Sequence, residues 1–420
     1  MLVGKEMSRA TLGERAPIAR HGRLRRSRAA AGVLRLVGVA LSVTLVSALS
    51  VAAIAVAQLR DNIETVELPG QAAVVAPPPG MGAYQGSFNV LFVGSDECVD
   101  TGGCPDRTEK LNDFTMLLHV AEDHKTAVAV SFPRDLIVSI PSCPKEDKSG
   151  SYSAMSSQQI NVTLAYGGLP CTVLTVAALT GMDIPFAGIM TFNGVKEISS
   201  AIGGVTVCTD GPINDRYTGL NLPSAGEWSL EGEQAIDFLR TRHGVGDGSD
   251  TGRIGSQQMF LSSMLRKIKS DATLNDPVTV YQLATAATKN MVVSDSLAQP
   301  TTLVAMALVF KDLPLESVTF VTYPSGSAAS MPGRVVPNTA RADELFAKIA
   351  ADEPFALEDS TGVGTVADPN APVLPPAVTP EPPATADPAA PALPTTPTAE
   401  VIPGLNGQTA ADKTCSKSNN

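Results

Sequence analysis

Arginine and aspartate residues that could bind phosphate and a metal ion concentrate in three short stretches of this sequence. The first holds Asp96 and Asp113, the second is Ser131-Phe132-Pro133-Arg134-Asp135, and the third contains Arg240, Arg242, Asp250, Arg253 and Gln257. Guanidinium groups form paired hydrogen bonds with phosphate oxygens. Mg²⁺ takes one or two carboxylates and completes its shell with phosphate and water. If the fold brings the three stretches together, they describe a metal–pyrophosphate site.

Each stretch alone also has an ordinary structural explanation. Asp96 can cap a turn, and Arg134 can pair with Asp135. Arg240 and Arg242 can lie at a helix C-terminus, where cations are favourable. The combination favours a ligand instead, because several guanidinium groups that meet without enough carboxylates to neutralise them require an anion.

The third stretch gives the clearest geometry. Arg253 and Gln257 are four residues apart in a predicted helix, so they share one face of it. They lie in its first turns, and the amide groups at a helix N-terminus favour an anion.

The elements that must position these side chains alternate between apolar strands and helices. Strands are predicted over residues 89–93, 115–120, 126–131, 136–140, 187–192, 205–207 and 318–323, and helices over 173–179, 195–202, 230–239, 251–268, 278–287, 301–309 and 341–350. This mixture predicts α/β layering. Residues 88–270 form the catalytic domain, and residues 271–354 belong to it or dock closely on it.

A membrane anchor is predicted before this domain. Residues 1–35 are rich in arginine, whereas Leu36 to Leu59 carry no charge. As a helix this run is about 36 Å long, enough to cross a hydrocarbon core of about 30 Å. The positive-inside rule places residues 1–35 in the cytoplasm and the domain outside the cell membrane, as a single-pass protein. A cleaved signal peptide ending near Ala55-Val56-Ala57 is the alternative, but the run exceeds the usual apolar core of about 7–15 residues.

The remaining segments are predicted from composition. Residues 60–87 contain Pro77-Pro78-Pro79 and form an extracytoplasmic stalk, and residues 355–420, rich in proline, alanine and threonine, form a disordered tail. An exported protein favours disulfides. We expect Cys98 to pair with Cys104 and Cys143 with Cys171, whereas the pairing of Cys208 and Cys415 stays open.

The order of the motifs resembles the LytR-CpsA-Psr family. The matching blocks lie within residues 88–270: Asn89-Val90-Leu91-Phe92-Val93-Gly94-Ser95-Asp96, Asp113 with Thr115-Met116, Ser131 to Asp135, Ile160-Asn161 with Tyr166-Gly167-Gly168, Ile202-Gly203-Gly204-Val205, and Arg240-x-Arg242-His243 with Asp250, Arg253 and Gln257-Gln258. The resemblance implies an α/β sandwich with a central mixed β-sheet flanked by helices, and an apolar pocket for a polyprenyl chain.

The resemblance also implies a membrane-bound phosphotransferase. Such an enzyme moves a glycopolymer from a polyprenyl-pyrophosphate carrier onto peptidoglycan, and a pyrophosphatase side activity is compatible with the same site. Asp96 and Asp113 would hold Mg²⁺. The pyrophosphate would bind to Arg107, Arg134, Arg240, Arg242, Arg253 and Gln257. Arg134, Asp250 and Arg253 would be catalytic, with Asp250 helping to activate the acceptor hydroxyl.

The sequence departs from the family pattern at two positions. Leu111-Asn112 precede Asp113 where an Arg-Ser pair is common, and Ser256 stands where many members carry arginine. Arg107 or Lys110 could substitute for the first loss. These departures keep a second hypothesis open, namely a non-catalytic scaffold that binds lipid-linked wall polymer.

A nucleic-acid partner is not expected. The whole chain carries a net charge of −11, whereas nucleic-acid binding domains are usually basic. No helix-turn-helix pattern is visible, and the basic residues 1–35 are too few for a regulatory DNA-binding domain.

Overall fold

The computed structural model describes residues 29–69, 82–96, 110–359, 361–371 and 399–419. Cys98, Cys104 and Arg107 lie outside these residues, so the first disulfide and the role of Arg107 stay predictions. The chain divides into two compact units, Met1–Ala57 and Gln58–Asn420.

Regular elements fill most of the described chain. The helices are α1 (Ala29–Asp61), α2 (Thr163–Thr180), α3 (Phe192–Ala201), α4 (Glu233–Arg240), α5 (Asp250–Ile268), α6 (Asp271–Leu274), α7 (Pro277–Lys289), α8 (Pro300–Asp312) and α9 (Thr339–Ala350). The strands are β1 (Glu64–Val66), β2 (Phe88–Ser95), β3 (Asn112–Val120), β4 (Ala127–Phe132), β5 (Ile137–Ile140), β6 (Cys143–Pro144), β7 (Ser151–Tyr152), β8 (Met155–Gln159), β9 (Phe186–Thr191), β10 (Val205–Thr209), β11 (Ile213–Asp215), β12 (Leu220–Leu222), β13 (Gly226–Leu230), β14 (Met291–Ser294), β15 (Val318–Thr322), β16 (Ser325–Ser327), β17 (Val335–Pro337), β18 (Phe355–Asp359), β19 (Thr365–Ala367), β20 (Glu400–Thr409) and β21 (Thr414–Ser416).

A nine-stranded mixed sheet organises the larger unit. Its order is β1-β14-β9-β2-β3-β4-β15-β20-β18. The β2–β9 and β4–β15 pairs are parallel, whereas β2–β3 and β3–β4 are antiparallel. One apolar cluster packs the sheet against α2 and α9, and a second packs it against α8. The predicted α/β sandwich with a central mixed sheet is therefore confirmed.

Strand direction brings the first two site stretches to one edge of this sheet. Ser95, the last residue of β2, pairs with Asn112, the first residue of β3. Thr115 in β3 pairs with Phe132, the last residue of β4. The segment after β2, the start of β3 and the segment after β4 consequently meet at the same end of three adjacent strands, which we call the site edge.

Helix α5 brings the third stretch to the site edge. The Ser249 hydroxyl accepts a hydrogen bond from Gly252 N (3.1 Å) and caps the helix, an arrangement that stabilises a helix N-terminus. Its C-terminal half contributes Met259 and Phe260 to a third apolar cluster. This packing fixes the helix and leaves its charged first turn at the edge.

The expected disorder of residues 355–420 is wrong for residues 355–359, 365–367 and 399–419. β20 pairs antiparallel with β15 inside the main sheet, and Ile402 and Leu405 are buried. Cys415 in β21 is bonded to Cys208. The average composition of the tail concealed these apolar and cysteine positions, which supply enough burial and cross-linking to order the segment. Residues 372–398 lie outside the described part of the chain.

The predicted stalk also contributes to the domain. β1 pairs in parallel with β14 at the edge of the main sheet, and Leu68 is buried. The physical reason is that β14 offers an unpaired edge to a short extended segment. Residues 271–354 supply β14 and β15 to the same sheet.

The bridge expected between Cys143 and Cys171 is present. It lies beside a kink at Gly167 and Gly168 within α2. A Cβ at Gly167 would lie 2.6 Å from Pro144 O, so the close approach of the cross-linked segments requires glycine there.

Within the described ranges, two helices are long and apolar enough to cross a membrane, Gly32–Asp61 within α1 and Ile160–Thr180, which includes α2. More than half of the apolar window of the second is buried in the domain, so it is a core helix. The apolar window of the first is fully exposed.

Candidate active site

Asp250 lies at the centre of the charged cluster and joins the second and third site stretches. Its Oδ2 accepts a hydrogen bond from Arg134 N (2.8 Å), and its Oδ1 accepts one from Arg253 Nη2 (2.6 Å). Arg242 Nη2 lies 3.4 Å from the same Oδ1. Both oxygens therefore bind cationic or amide donors, which suits a residue that positions arginines.

Asp113 joins the first stretch to this cluster. Its Oδ1 forms an ion pair with Arg134 Nη1. Its carbonyl oxygen accepts a hydrogen bond from Arg253 Nη2 (3.1 Å). The start of β3 thus fixes the orientation of two arginines from two other parts of the chain.

Asp135 accepts hydrogen bonds from further side chains of the cluster, and the sequence did not suggest one of these partners. Its Oδ2 accepts from Arg242 Nη2 (2.6 Å), and its Oδ1 accepts from Arg334 Nη1 (2.5 Å) and Gln159 Nε2 (2.8 Å). Arg334 lies between β16 and β17, far from every motif. The Pro-Arg-Asp motif could have suggested Asp135, but no local signal marked Arg334.

The expected shortage of carboxylates is only partial, because Asp113, Asp135 and Asp250 are shared among four arginines. Within the described cluster, the guanidinium groups of Arg134, Arg242, Arg253 and Arg334 each contact at least one carboxylate. The physical reason is that uncompensated buried charges are strongly unfavourable. The need for an anion therefore has to rest on individual hydrogen-bond donors.

Three such donors exist. The Nε atoms of Arg134, Arg242 and Arg253 are buried and have no hydrogen-bond partner among the described residues. Arg134 Nε is 3.9 Å from Asp135 Oδ1, too far for a hydrogen bond. Buried donors without partners are rare in native proteins. One N–H on each of three clustered arginines is thus available to water or to a ligand with several acceptor oxygens.

Arg242 remains charged in this environment. Burial lowers the pKa of Arg242, but the neighbouring carboxylates of Asp250 and Asp135 outweigh it and hold that pKa above its ordinary value. The guanidinium is consequently cationic throughout the physiological range.

Asp96, the residue after β2, forms two hydrogen bonds with Leu111, the residue before β3. Its side-chain Oδ1 accepts from Leu111 N (2.9 Å), and its own amide donates to Leu111 O (3.1 Å). Asp96 follows the end of β2 and Asp113 lies near the start of the adjacent strand β3, and a cation shared between them stays a prediction. Their oxygen ligands fit Mg²⁺ chemically, although Asp113 would have to share an oxygen or turn from Arg134.

Arg240 and Gln257 make contacts outside the central cluster. The Arg240 guanidinium lies over the Phe192 ring, 5.0 Å from its centroid. Gln257 Nε2 donates to Leu239 O (3.0 Å). Both residues therefore fix α4 and the segment after it, and their assignment to pyrophosphate stays a prediction.

Asp215 also fixes the segment that follows α4, through hydrogen bonds from Thr241 and Arg242. The Thr241 hydroxyl donates to its Oδ2 (2.6 Å), as does Arg242 N (3.3 Å). Burial would raise the pKa of Asp215, but hydrogen bonds from Thr241, Tyr217 N and Arg242 N outweigh it and leave that pKa below its ordinary value.

The two departures from the family pattern have visible consequences. The Ser256 hydroxyl is buried and lies 2.7 Å from Ser416 Oγ of β21, so the C-terminal strand occupies the space beyond that position. Asn112 is buried and hydrogen-bonds Thr115 Oγ1 (2.8 Å). Lys110 instead lines a groove beside the site edge.

That groove has a volume of about 680 Å³. Ser95, Lys110 and Thr191 line it at the site edge, and Leu164 and Ile189 supply apolar walls. Charged side chains, among them Glu67, Lys145 and Glu146, line it as well, so its wall is mixed in polarity.

Comparison with known proteins agrees with the motif order. The LytR_cpsA_psr family matches residues 47–347. The cell wall biosynthesis protein LcpA of Corynebacterium glutamicum is 27% identical, over 58% of this chain and 51% of its own length. A polyisoprenyl-teichoic acid–peptidoglycan teichoic acid transferase, TagU of Enterococcus faecalis, is 28% identical over 49% of this chain and 60% of its own. The matches thus span about half to three fifths of these relatives.

A solved structure supports the fold. The LytR-Csp2A-Psr enzyme from Actinomyces oris superimposes with a TM-score of 0.51 at 21% identity, covering 68% of this chain and 95% of that one.

Proposed function

Because this chain belongs to the LytR_cpsA_psr family, we propose that it is a membrane-anchored phosphotransferase. It would move a glycopolymer from a polyprenyl-pyrophosphate carrier onto peptidoglycan, as the name of the E. faecalis relative describes for teichoic acid. The single observation that carries the proposal is the set of three buried, unpartnered Nε donors on Arg134, Arg242 and Arg253. A pyrophosphate supplies several acceptor oxygens to such a set.

The proposed step is a displacement at phosphorus. An acceptor sugar hydroxyl oxygen bonds to the phosphorus next to the glycopolymer, and the bridging P–O bond to the lipid phosphate breaks. The bond's electron pair stays with polyprenyl phosphate, which also receives the hydroxyl proton in the net reaction. The arginines neutralise charge on the phosphoryl oxygens, and their fixed geometry lowers the reorganisation that the step requires.

Asp96 and Asp113 are the proposed Mg²⁺ ligands. When bound, the ion would neutralise phosphate charge. Asp113 and Asp250 also hold Arg134 and Arg253 in place. Because both Asp250 oxygens accept hydrogen bonds from other groups, the geometry favours a positioning role over removal of the acceptor proton.

The domain is proposed to face the outside of the cell membrane, with α1 as its single span. α1 has the length and apolarity of a span, and arginines precede it. The groove beside the site edge, with apolar walls at Leu164 and Ile189, is the proposed entry for the lipid chain.

The test incubates the full chain in vesicles with polyprenyl-pyrophosphate-linked polymer, peptidoglycan and Mg²⁺. We expect release of polyprenyl phosphate together with polymer attached to peptidoglycan, and loss of both in Arg134→Ala and Asp113→Ala variants that remain folded. Tight binding of the donor without release or transfer would support the scaffold hypothesis and reject the enzyme.

A further inference from the structure

Helices α6 to α8 carry an unusual concentration of exposed apolar side chains. Among the described residues after α1, ten large apolar side chains are exposed, and six of them lie in this region: Leu274, Val278, Val280, Tyr281, Leu303 and Val304. Single exposed apolar residues are ordinary, whereas six in three consecutive helices are an unusual concentration. We call this group the apolar patch.

On α8 the patch is separated cleanly from the core. Thr302, Ala305, Met306 and Val309 are buried against the sheet, at the spacing of one helix face. Leu303 and Val304 lie on the opposite side and are 36% and 56% exposed. α8 is therefore apolar on both sides, although only one side packs against protein in the described residues.

The end of α1 lies beside the patch. Gln58 belongs to the same compact unit as the domain, and its Oε1 accepts a hydrogen bond from the Tyr281 hydroxyl (3.0 Å). Five residues later, Ile63 packs into the cluster that holds Met306 and Val309. Gln58 is thus held at α7, and Ile63 packs against the apolar cluster to which α8 contributes.

We propose that the apolar patch lies in the headgroup region of the bilayer that α1 enters, and holds the domain against the membrane surface. The occupant is phospholipid, because any surface beside the exit of an anchor stays close to lipid. The anchor has already confined the domain, so a small apolar patch is sufficient to fix its orientation. Tyr281 is of a residue type that is enriched at membrane interfaces. The inference rests on the anchor in the proposed function.

Sheet direction gives this contact a purpose. β1 begins at Glu64 and runs parallel to β14, which is antiparallel to β9, and β9 is parallel to β2. β1 therefore runs opposite to β2, and its start lies toward the end of the sheet where β2 finishes. The end of α1, just before β1, and the site edge therefore lie toward the same end of the strands. A patch held at the membrane surface would keep the arginine cluster near a lipid-borne donor.

The test uses fluorescence quenching by brominated phosphatidylcholine in the full chain. Trp228 is the sole tryptophan, so Trp228→Phe provides a background without tryptophan. Tyr281→Trp is then compared with Tyr152→Trp, since the two tyrosines are 39% and 38% exposed and undergo the same substitution. Leu45→Trp within α1 reports insertion of the anchor.

The account predicts strong quenching of the Leu45→Trp and Tyr281→Trp variants and none of Tyr152→Trp. Quenching of Leu45→Trp alone would overturn the patch while leaving the anchor intact. Absence of quenching in both would overturn the anchor and the patch together. Protection of Tyr281→Trp from aqueous iodide without lipid quenching would assign the patch to a second copy and reject the proposal. None of these readings depends on transferase activity.

A second measurement links the contact to function. In vesicles, Val278→Asp with Val304→Asp is expected to lower transfer from a long-chain lipid donor several-fold and to leave transfer from a short, water-soluble donor unchanged. Equal loss with both donors would mean damage to the site rather than loss of lipid contact, and no loss with either would overturn the orienting role.

Discussion

The site edge and the apolar patch are opposites in composition, since one buries paired charged side chains and the other exposes apolar ones. At the site edge, Asp250 and Arg253 are 7% and 3% exposed, whereas Val304 in the patch is 56% exposed. Charged residues are rarely buried unless paired, and large apolar groups rarely cluster on a surface. The contrast is the basis of the two proposals, an anionic ligand at the site edge and lipid at the apolar patch.

The largest expected effect comes from removing one member of the buried network. Arg253→Ala leaves Asp250 without its 2.6 Å partner and should lower the free energy of unfolding by about 3–5 kcal/mol. It should also reduce transfer by about 10²–10³-fold, as for loss of one preorganised donor. Chemical denaturation and product release measure the two effects. Arg341→Ala, at an exposed arginine, is the control and should change neither.

The next effect concerns the metal. Asp113→Asn keeps the shape of the side chain but removes the charge that pairs with Arg134. We expect Mg²⁺ to raise the melting temperature of the wild-type chain, because a ligand stabilises the state that binds it. The melting temperature of Asp113→Asn should not change when Mg²⁺ is added. Asp123→Asn, in an exposed turn, should respond like the wild type. An equal Mg²⁺ shift in the wild-type chain and Asp113→Asn would remove Asp113 from the metal site.

A smaller, pH-dependent effect is expected below the arginine segment. The pKa of Asp215 is lowered in the folded chain, so its ionised form stabilises the fold above the ordinary aspartate pKa of about 3.9 and this contribution disappears as pH falls through the lowered value. Asp215→Asn should therefore cost about 1–2 kcal/mol near neutral pH and almost nothing in strong acid. Denaturation curves at several pH values measure the difference, and a constant difference would contradict the assignment.

The smallest effect is expected in the patch itself. Val304→Asp should change the stability of the detergent-solubilised chain by no more than about 0.5 kcal/mol, as is usual for surface substitutions. Val309→Asp places the same charge on the buried side of the same helix and should destabilise by several kcal/mol. Similar losses of stability in the two variants would show that Val304 belongs to the core and would contradict its assignment to an exposed patch.

The sequence predicted the strands and helices better than the side-chain contacts between them. Apolar runs marked β2, β3, β4 and α5, because burial imposes a pattern on each segment separately. Strand ends suggested that Asp113 and Arg134 could meet if the fold allowed it, and the structure adds Asp250, at the start of α5, to the same cluster. The Asp250–Arg253 pair is local, three residues apart in one helix, but the carboxylate partners of Arg134, Arg242 and Arg334 include residues 21, 107 and 199 positions away, which no local pattern could show. Arg334 shares an oxygen of Asp135 across 199 residues and belongs to no motif.

The C-terminal segment was the largest error, and its cause is physical. Composition averaged over residues 355–420 describes a chain that cannot bury a core. Stability depends on the few positions that find partners: Ile402 and Leu405 are buried, and Cys415 is cross-linked to Cys208. β21, the strand that holds Cys415, also fills the space next to Ser256. The serine that stands where many family members carry arginine therefore contacts the strand that the sequence did not predict.

The most direct test of the central claim follows the two phosphates of the carrier. A lipid-linked polymer labelled with ³²P only at the phosphate next to the sugar is incubated with the full chain, peptidoglycan and Mg²⁺. Displacement at phosphorus at the arginine cluster predicts that the label moves to peptidoglycan with the polymer, while unlabelled polyprenyl monophosphate is released. If the polymer reaches peptidoglycan but the label remains on the lipid, the bond broken is carbon–oxygen, and the phosphotransferase account is contradicted.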